Sequence, residues 1–152
     1  MTQFEPRNPD FERAVRDSFA RQGFMRTIGA ELAGVAPGAV EIAMLYDESV
    51  AQQHGYFHGG AMGAIADSAA GYAAFTLMPE GATVLTVEYK MNIMAPGRGE
   101  RLVARGQVIR PGRTLTVASA DVFAVEGGAE TLCATVLQTL MCLAAAPHRP
   151  AG

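Results

Sequence analysis

The stretch His58-Gly59-Gly60-Ala61-Met62-Gly63-Ala64-Ile65-Ala66-Asp67 decides how this chain is read. It opens a run of small and apolar residues that reaches Met78, and from Gly59 to Pro79 the only formally charged side chain is Asp67. Removing water from a carboxylate in such surroundings is costly unless a partner or a reaction makes use of it. The His-Gly-Gly start presents the free backbone N–H groups of a helix amino terminus, a ready anion site. A lone acid in an apolar helix, with such donors nearby, points to a place where a carbonyl is polarised and water is activated. The run is mostly Ala and Gly, and an Asp at the centre of a membrane span would cost about 2.5–3.5 kcal/mol. A helix buried on nearly all sides within a folded domain fits better.

Working outward, Pro79-Glu80-Gly81 predicts the helix stop, and Asp47–Phe57 before it reads as polar and irregular. Upstream, Thr27–Val35 and Val40–Tyr46 read as extended runs joined by Pro37-Gly38. Between Asp10 and about Gln22, Phe11, Ala14, Val15, Ser18 and Phe19 fall at helical spacing, with Asp10 as the expected N-cap. Downstream, four strands are expected: Thr83–Met94, Arg101–Arg110, Thr114–Val125 and Thr131–Leu143. The first alternates, setting Leu85, Val87, Tyr89, Met91 and Ile93 against Thr86, Glu88, Lys90 and Asn92. Short turns between consecutive strands predict antiparallel neighbours. The last strand is apolar on both faces, which predicts cover by the helix on one side and by another subunit on the other. The expected class is α+β. A segment 1–24 with a short helix precedes a single domain, 25–143, in which a long central helix is wrapped by a curved antiparallel sheet of about six strands; 144–152 is expected to be a flexible tail.

Composition narrows the function. The chain has 152 residues, 49% of them hydrophobic, enough for a real core and inconsistent with disorder. A formal charge of −3 argues against a general nucleic-acid binder. Within 90–113, however, Lys90, Arg98, Arg101, Arg105, Arg110 and Arg113 face Glu100 alone, a local basic stretch that suits a small polyanion such as a nucleotide. Cys133 and Cys142 lie ~30 Å apart along one strand-like run, too far for a disulfide within the chain. With no apolar leader region in view, a cytoplasmic location without membrane association is expected. His54 and His58 have metal-pair spacing but no third ligand, Ser68 lacks a nucleophile elbow, and His-Gly-Gly has neither phosphate-loop spacing, so neither metal nor cofactor is expected.

Geometry then makes a demand. Gly59 and Asp67 are eight residues apart, ~12 Å along a helix. A reacting carbonyl needs its donor and its attacking group each within ~3 Å. One helix cannot serve both ends, whereas two antiparallel copies can, so a catalytic site here requires a two-fold dimer with two equivalent sites.

His58-Gly59-Gly60, with Asp67 nine positions after the histidine on a long Ala/Gly helix, resembles the hotdog-fold acyl-CoA thioesterases of the PaaI type. Leu85-Thr86-Val87-Glu88-Tyr89 through Ala95-Pro96-Gly97 is similar to the strand that follows in that family, and the likeness covers roughly residues 25–143. The resemblance implies an acyl-CoA substrate, with Asp67 as general base or nucleophile. It implies the Gly59 N–H as the carbonyl's polariser, His58 near the leaving sulfur, and Thr86 as the hydroxyl that helps place water. Gln52 stands where many relatives carry Asn, as a side-chain contact to the carbonyl. Gly60 would permit close helix packing, and Arg110 and Arg113 would meet coenzyme A phosphates. The expected activity is hydrolysis of a medium-chain or aryl-acyl-CoA by a homodimer or a dimer of dimers. The alternatives are a non-catalytic acyl-CoA binding or sensing module on the same fold, and a hotdog dehydratase or hydratase, for whose His/acid pair no constellation is found.

Overall fold

The computed structural model describes residues 4–145. The helix of small residues, α3, spans Gly59–Phe75 and touches all six strands of one antiparallel sheet. These are β1 (Ala30–Ala36), β2 (Ala39–Leu45), β3 (Thr83–Ile93), β4 (Arg101–Arg110), β5 (Leu115–Glu126) and β6 (Ala129–Leu143), in the spatial order β1-β2-β4-β5-β6-β3. The architecture is the expected one, and the bounds of β4 coincide with those read from the sequence. The part of the anticipated tail from residue 146 onward lies outside the described residues.

One contact sets the depth of the assembly. A Cβ built on Gly106 of β4 would fall 2.3 Å from both C and O of Ala69 and 2.5 Å from N of Ala70. Helix backbone thus rests on strand backbone, which only glycine on the strand and alanines on the helix permit. At the far end of α3, the wholly buried Thr76 donates its hydroxyl to the Ala73 carbonyl (2.6 Å) and accepts the Gly38 N–H (2.8 Å). That clasp ties the helix end to the β1–β2 turn and ends the helix at Phe75, short of the Met78 expected from Pro79.

Three further expectations are corrected. Consecutive strands are not all neighbours: β3 pairs with β6 at the sheet edge, and the Ala95-Pro96-Gly97 segment crosses to β4 instead of forming a hairpin. Its path is fixed by Met94 N–H to the Cys133 carbonyl (2.7 Å) and Phe57 N–H to the Gly97 carbonyl (2.9 Å). The chain before β1 is not extended from Thr27; a five-residue helix, α2 (Gly23–Thr27), intervenes, too short to carry a periodic signal. In α1 (Phe11–Ala20), Asp10 holds the N-cap position without capping. Its φ/ψ lies outside the extended region a cap needs, and its carboxylate accepts from Arg13 (2.7 Å).

The alternation read for β3 is broken as well. Thr86 pairs with Leu140 and Glu88 with Thr139, so Val87 is the extra residue of a β-bulge. Beyond it the parity reverses, and Thr86 joins Tyr89, Met91 and Ile93 on the face that meets α3.

Replacing Gly106 by Ala is expected to destabilise the protein by about 3 kcal/mol, lowering the thermal midpoint by roughly 6–12 °C. Gly34→Ala, whose Cβ would meet only Glu41 Cβ at an ordinary 3.6 Å, serves as the near-neutral control, with both read by scanning calorimetry.

Candidate active site

Gly59, Gly63 and Asp67 lie four residues apart and form one stripe along α3. Strand β3 runs antiparallel beside that stripe. Ile93 Cδ1 stands 2.9 Å from the place of a Gly59 Cβ, the Tyr89 hydroxyl 3.3 Å from that of Gly63, and the Thr86 hydroxyl donates to Asp67 Oδ1 at 2.6 Å. The bulge at Val87 makes this possible. Without the parity change, Thr86 and the Tyr89–Ile93 row would face opposite sides of the sheet.

At the acid end, a second donor appears that sequence reasoning missed. Gln138 on β6, 1% exposed, donates Nε2–H to the same Asp67 Oδ1 (2.5 Å) and approaches Thr86 Oγ1 (3.1 Å) and the Asp67 carbonyl (3.3 Å). Among the described residues its own Oε1 is buried with no partner. An unsatisfied buried carbonyl oxygen costs about 1–3 kcal/mol. Turning the amide over would bring that oxygen against Asp67 Oδ1 and the Asp67 carbonyl, so the orientation is fixed by the acid. The available signal was Gln138 itself, the one amide in the inward row Ala134, Val136, Gln138, Leu140. Asp67 opens on a cleft of about 480 Å³ walled by α1 (Ala14, Asp17, Ser18), by Arg21 and Gln22 just after it, by Tyr72 and Phe75 of α3, and by Val84 and Leu140. The Tyr72 hydroxyl fastens α1 there, meeting Ser18 Oγ at 3.1 Å and accepting from Gln22 Nε2 at 2.8 Å.

At the other end, His58 is the N-cap of α3: its Nδ1 accepts the Gly60 N–H at 2.8 Å. The Gly60 donor is thereby used, while the Gly59 N–H has no acceptor among the described residues. Gly59 lines a separate cleft of about 460 Å³ together with Gln52, Tyr56, Met62, Ile93 and Pro96. Gln52 accepts the His54 N–H through Oε1, which leaves its Nε2 as a second donor in that cleft. The Asp67 and Gly59 clefts share no lining residue. One protomer therefore brings Asp67, Thr86 and Gln138 together in one place and Gly59, Gln52 and His58 in another.

The basic stretch does not converge on either cleft. Arg105 is bound by Glu130 (2.7 and 2.8 Å) and Glu41 (2.9 Å) and lies over the Phe123 ring, while Arg98 faces Glu126 at 3.4 Å. Arg105 holds the Glu130 carboxyl below its ordinary range, and Glu130 with Glu41 raises the Arg105 guanidinium above its own. Arg110 and Arg113 are exposed and line neither cleft; Arg110 pairs with Val117, on the sheet face away from α3. Among the described residues, no group of three or more His, Cys, Asp or Glu could hold a metal ion, and no helix is long and apolar enough to cross a membrane.

The sequence profile of the thioesterase superfamily matches residues 54–131, which span both ends of the stripe and strands β3, β4 and β5. The chain belongs to that superfamily. Within it, the crystal structure of a thioesterase family protein from Silicibacter pomeroyi is 51% identical, covers 88% of this chain and 98% of its own, and superposes with a TM-score of 0.87. The 1,4-dihydroxy-2-naphthoyl-CoA hydrolase of Listeria monocytogenes is 28% identical over 62% of this chain and 77% of its own length. The PaaI protein of E. coli, from its phenylacetic acid degradation operon, shares the fold at 16% identity, with a TM-score of 0.79 over 91% of this chain and 97% of its own. This thioesterase thus has the hotdog architecture, and its chemistry is hydrolysis of thioesters.

As a cap, His58 gives a direct test. His58→Ala is expected to cost about 1 kcal/mol, and His58→Asn to recover most of it, in denaturant titrations of the thioesterase. Equal stability of His58→Ala and the parent would contradict the capping role.

Proposed function

We propose that this thioesterase hydrolyses acyl-CoA at two equivalent sites across a two-fold dimer, each combining Asp67 of one protomer with the partner subunit's Gly59. The observation that carries the reading is the separation of two open groups. Asp67 Oδ2 receives no hydrogen bond among the described residues, and the Gly59 N–H has no acceptor, yet they lie at opposite ends of one stripe and in different clefts. Gly63 is the midpoint between them on the helix, and Tyr89–Lys90 is the midpoint between Thr86 and Ile93 on β3. A two-fold axis through those midpoints exchanges the two ends and sets each acid beside the partner's free donor.

The sheet edge supports that axis. β3 is an eleven-residue edge strand whose Leu85, Val87, Tyr89 and Ile93 are 45–54% exposed in the single protomer. Long apolar edges left open invite pairing, and antiparallel pairing of β3 with its copy would cover this one and extend the sheet.

In this reading the partner's Gly59 N–H, at the positive end of its α3, polarises the thioester carbonyl, and the side-chain donor of the partner's Gln52, from the same cleft, assists it. Asp67 either takes a proton from a water that attacks the carbonyl carbon and passes it to the departing sulfur, or attacks the carbon itself to give an anhydride that a water then hydrolyses, the water's protons going to the thiolate and the solvent. Either way the C–S bond breaks, and the free acid and CoA thiol leave. Thr86 holds the acid, its hydroxyl proton being engaged at Oδ1. His58 acts through the helix start it caps, and Gly60 leaves room for that ring, whose Nδ1 stands 3.0 Å from the place of a Gly60 Cβ. The cleft beside Asp67, with Tyr72, Phe75, Val84 and Leu140 in its walls, suits a medium-chain or aryl acyl group. The naphthoyl-CoA named for the Listeria relative is of the aryl class. The assignment of Arg110 and Arg113 to CoA phosphates draws no support from the single protomer, and the exposed outer row of β6, with Leu137 and Leu143, offers an apolar surface for a dimer of dimers.

Asp67→Asn is expected to lower kcat on acyl-CoA by about 100-fold or more with the oligomer intact by sedimentation. Gly59→Pro removes the donor at a first helical position that tolerates proline, and Gly59→Ala, whose Cβ meets the same Ile93 Cδ1 but which keeps the N–H, is its steric control; the proline should cost about 100- to 1000-fold and the alanine far less. Subunit mixing tests the sharing. Asp67→Asn and Gly59→Pro chains, each inactive alone, should regain activity when assembled together, since the hybrid contains one intact site. Mixtures that stay inactive although hybrids form would refute a shared site.

A further inference from the structure

We infer that Gln138 is a positioning residue that selects which oxygen of Asp67 reacts. The inference rests on the reading of Asp67 as the catalytic acid. A carboxylate oxygen offers two lone pairs, and those of Oδ1 are both engaged, by the Thr86 hydroxyl at 2.6 Å and by the Gln138 amide at 2.5 Å. Oδ2 is left as the only oxygen free to accept a proton or to attack a carbon. The third acceptor near the amide, Thr86 Oγ1 at 3.1 Å, makes the three groups one network, so the amide also fixes the direction from which Thr86 donates.

The arrangement is not one that folding requires. Gln138 stands in an inward row otherwise formed by Ala134, Val136 and Leu140, where an apolar side chain would pack without leaving a carbonyl oxygen stranded. A purely structural amide in that place would be expected to satisfy both of its ends. Here the nitrogen is committed to the acid and the oxygen is left unpartnered, an orientation that serves Asp67 at the expense of the core. Removing the amide should therefore damage turnover and spare, or improve, stability. A packing residue would show the opposite.

The test is Gln138→Met, which keeps the length of the side chain and removes both the donor and the stranded acceptor. Turnover of an acyl-CoA panel is followed by release of free thiol, and thermal midpoints are measured on the same preparations. We expect kcat to fall about 10- to 100-fold, KM to stay within about threefold, and the thermal midpoint to be unchanged or raised. In the Asp67→Asn background the same change should cause no further loss, because there is no longer a carboxylate to position. Unaltered kcat in Gln138→Met would overturn the role, as would a fall in midpoint that tracks the fall in kcat, or a full additional loss on top of Asp67→Asn. Should the methionine variant fail to fold, Gln138→Leu carries the same comparison, and failure of both would make Gln138 a folding residue and end the proposal. Full activity of Asp67→Asn would instead strike at the catalytic assignment of the acid, which separates the two failures.

Discussion

The backbone-on-backbone contact between α3 and β4 governs this molecule. At Gly106 the strand lies against Ala69 and Ala70 with no room for even a methyl group between them. A helix that approaches a sheet so closely can carry only small side chains on that face, hence Ala or Gly at 59–61, 63, 64, 66, 69–71, 73 and 74. The same closeness holds the edge strand β3 near enough for Thr86 to hydrogen-bond the helix and for Tyr89 and Ile93 to fill the space beside Gly63 and Gly59. Dispersion and burial do the rest, since Ile65, Ala66, Ala69, Ala70, Ala73 and Ala74 are wholly out of water.

Within that frame, polarity is rationed to a few places. Thr76 closes one end of α3, His58 caps the other, and Asp67 sits between them with its two donors. Among the described residues, His58 Nδ1, Asp67 Oδ1, Tyr72 and Thr76 each have a defined partner, while Asp67 Oδ2 and the Gly59 N–H, the two groups the proposed hydrolysis uses, are open. The surface charge that looked suggestive in the sequence is mostly spent locally: Arg105 is shared by Glu41 and Glu130, and Arg98 faces Glu126. A basic run in sequence becomes a basic site only if the strands turn its members to one face. Alternation puts Arg105 on the side of β4 away from α3, and the register shift between Val108 and Arg110 turns Arg110 to that same side, which keeps this run off the helix.

Much of the fold was legible because its signals are local. The glycine-led helix start and the Pro37-Gly38 and Pro111-Gly112 turns mark element bounds within a residue or so. Asp67 and Gly59 were legible for the same reason, being the only charge and the first residue of an otherwise apolar helix. What escaped is non-local. The bulge at Val87 exists because β6 imposes a register on β3, and no feature of residues 83–93 alone announces it. The placement of β3 at the sheet edge depends on a crossover whose anchors, Cys133 and Gly97, lie far apart in the chain. Gln138 was hidden by its neighbours: in a strand rich in Leu, Val and Ala, one amide reads as noise until the acid it meets, 71 positions away, is seen beside it.

The docking of α1 has an evolutionary consequence. This helix supplies Ala14, Asp17 and Ser18, and the turn after it Gln22, to one wall of the cleft beside Asp67, both fastened through the Tyr72 hydroxyl, yet neither contributes to the network around the acid. On the proposed reading, the part of the molecule that shapes the acyl chamber is separable in sequence from the part that breaks the bond. Descendants of such a chain can exchange residues on that helix and change their diet of thioesters while inheriting the chemical apparatus intact.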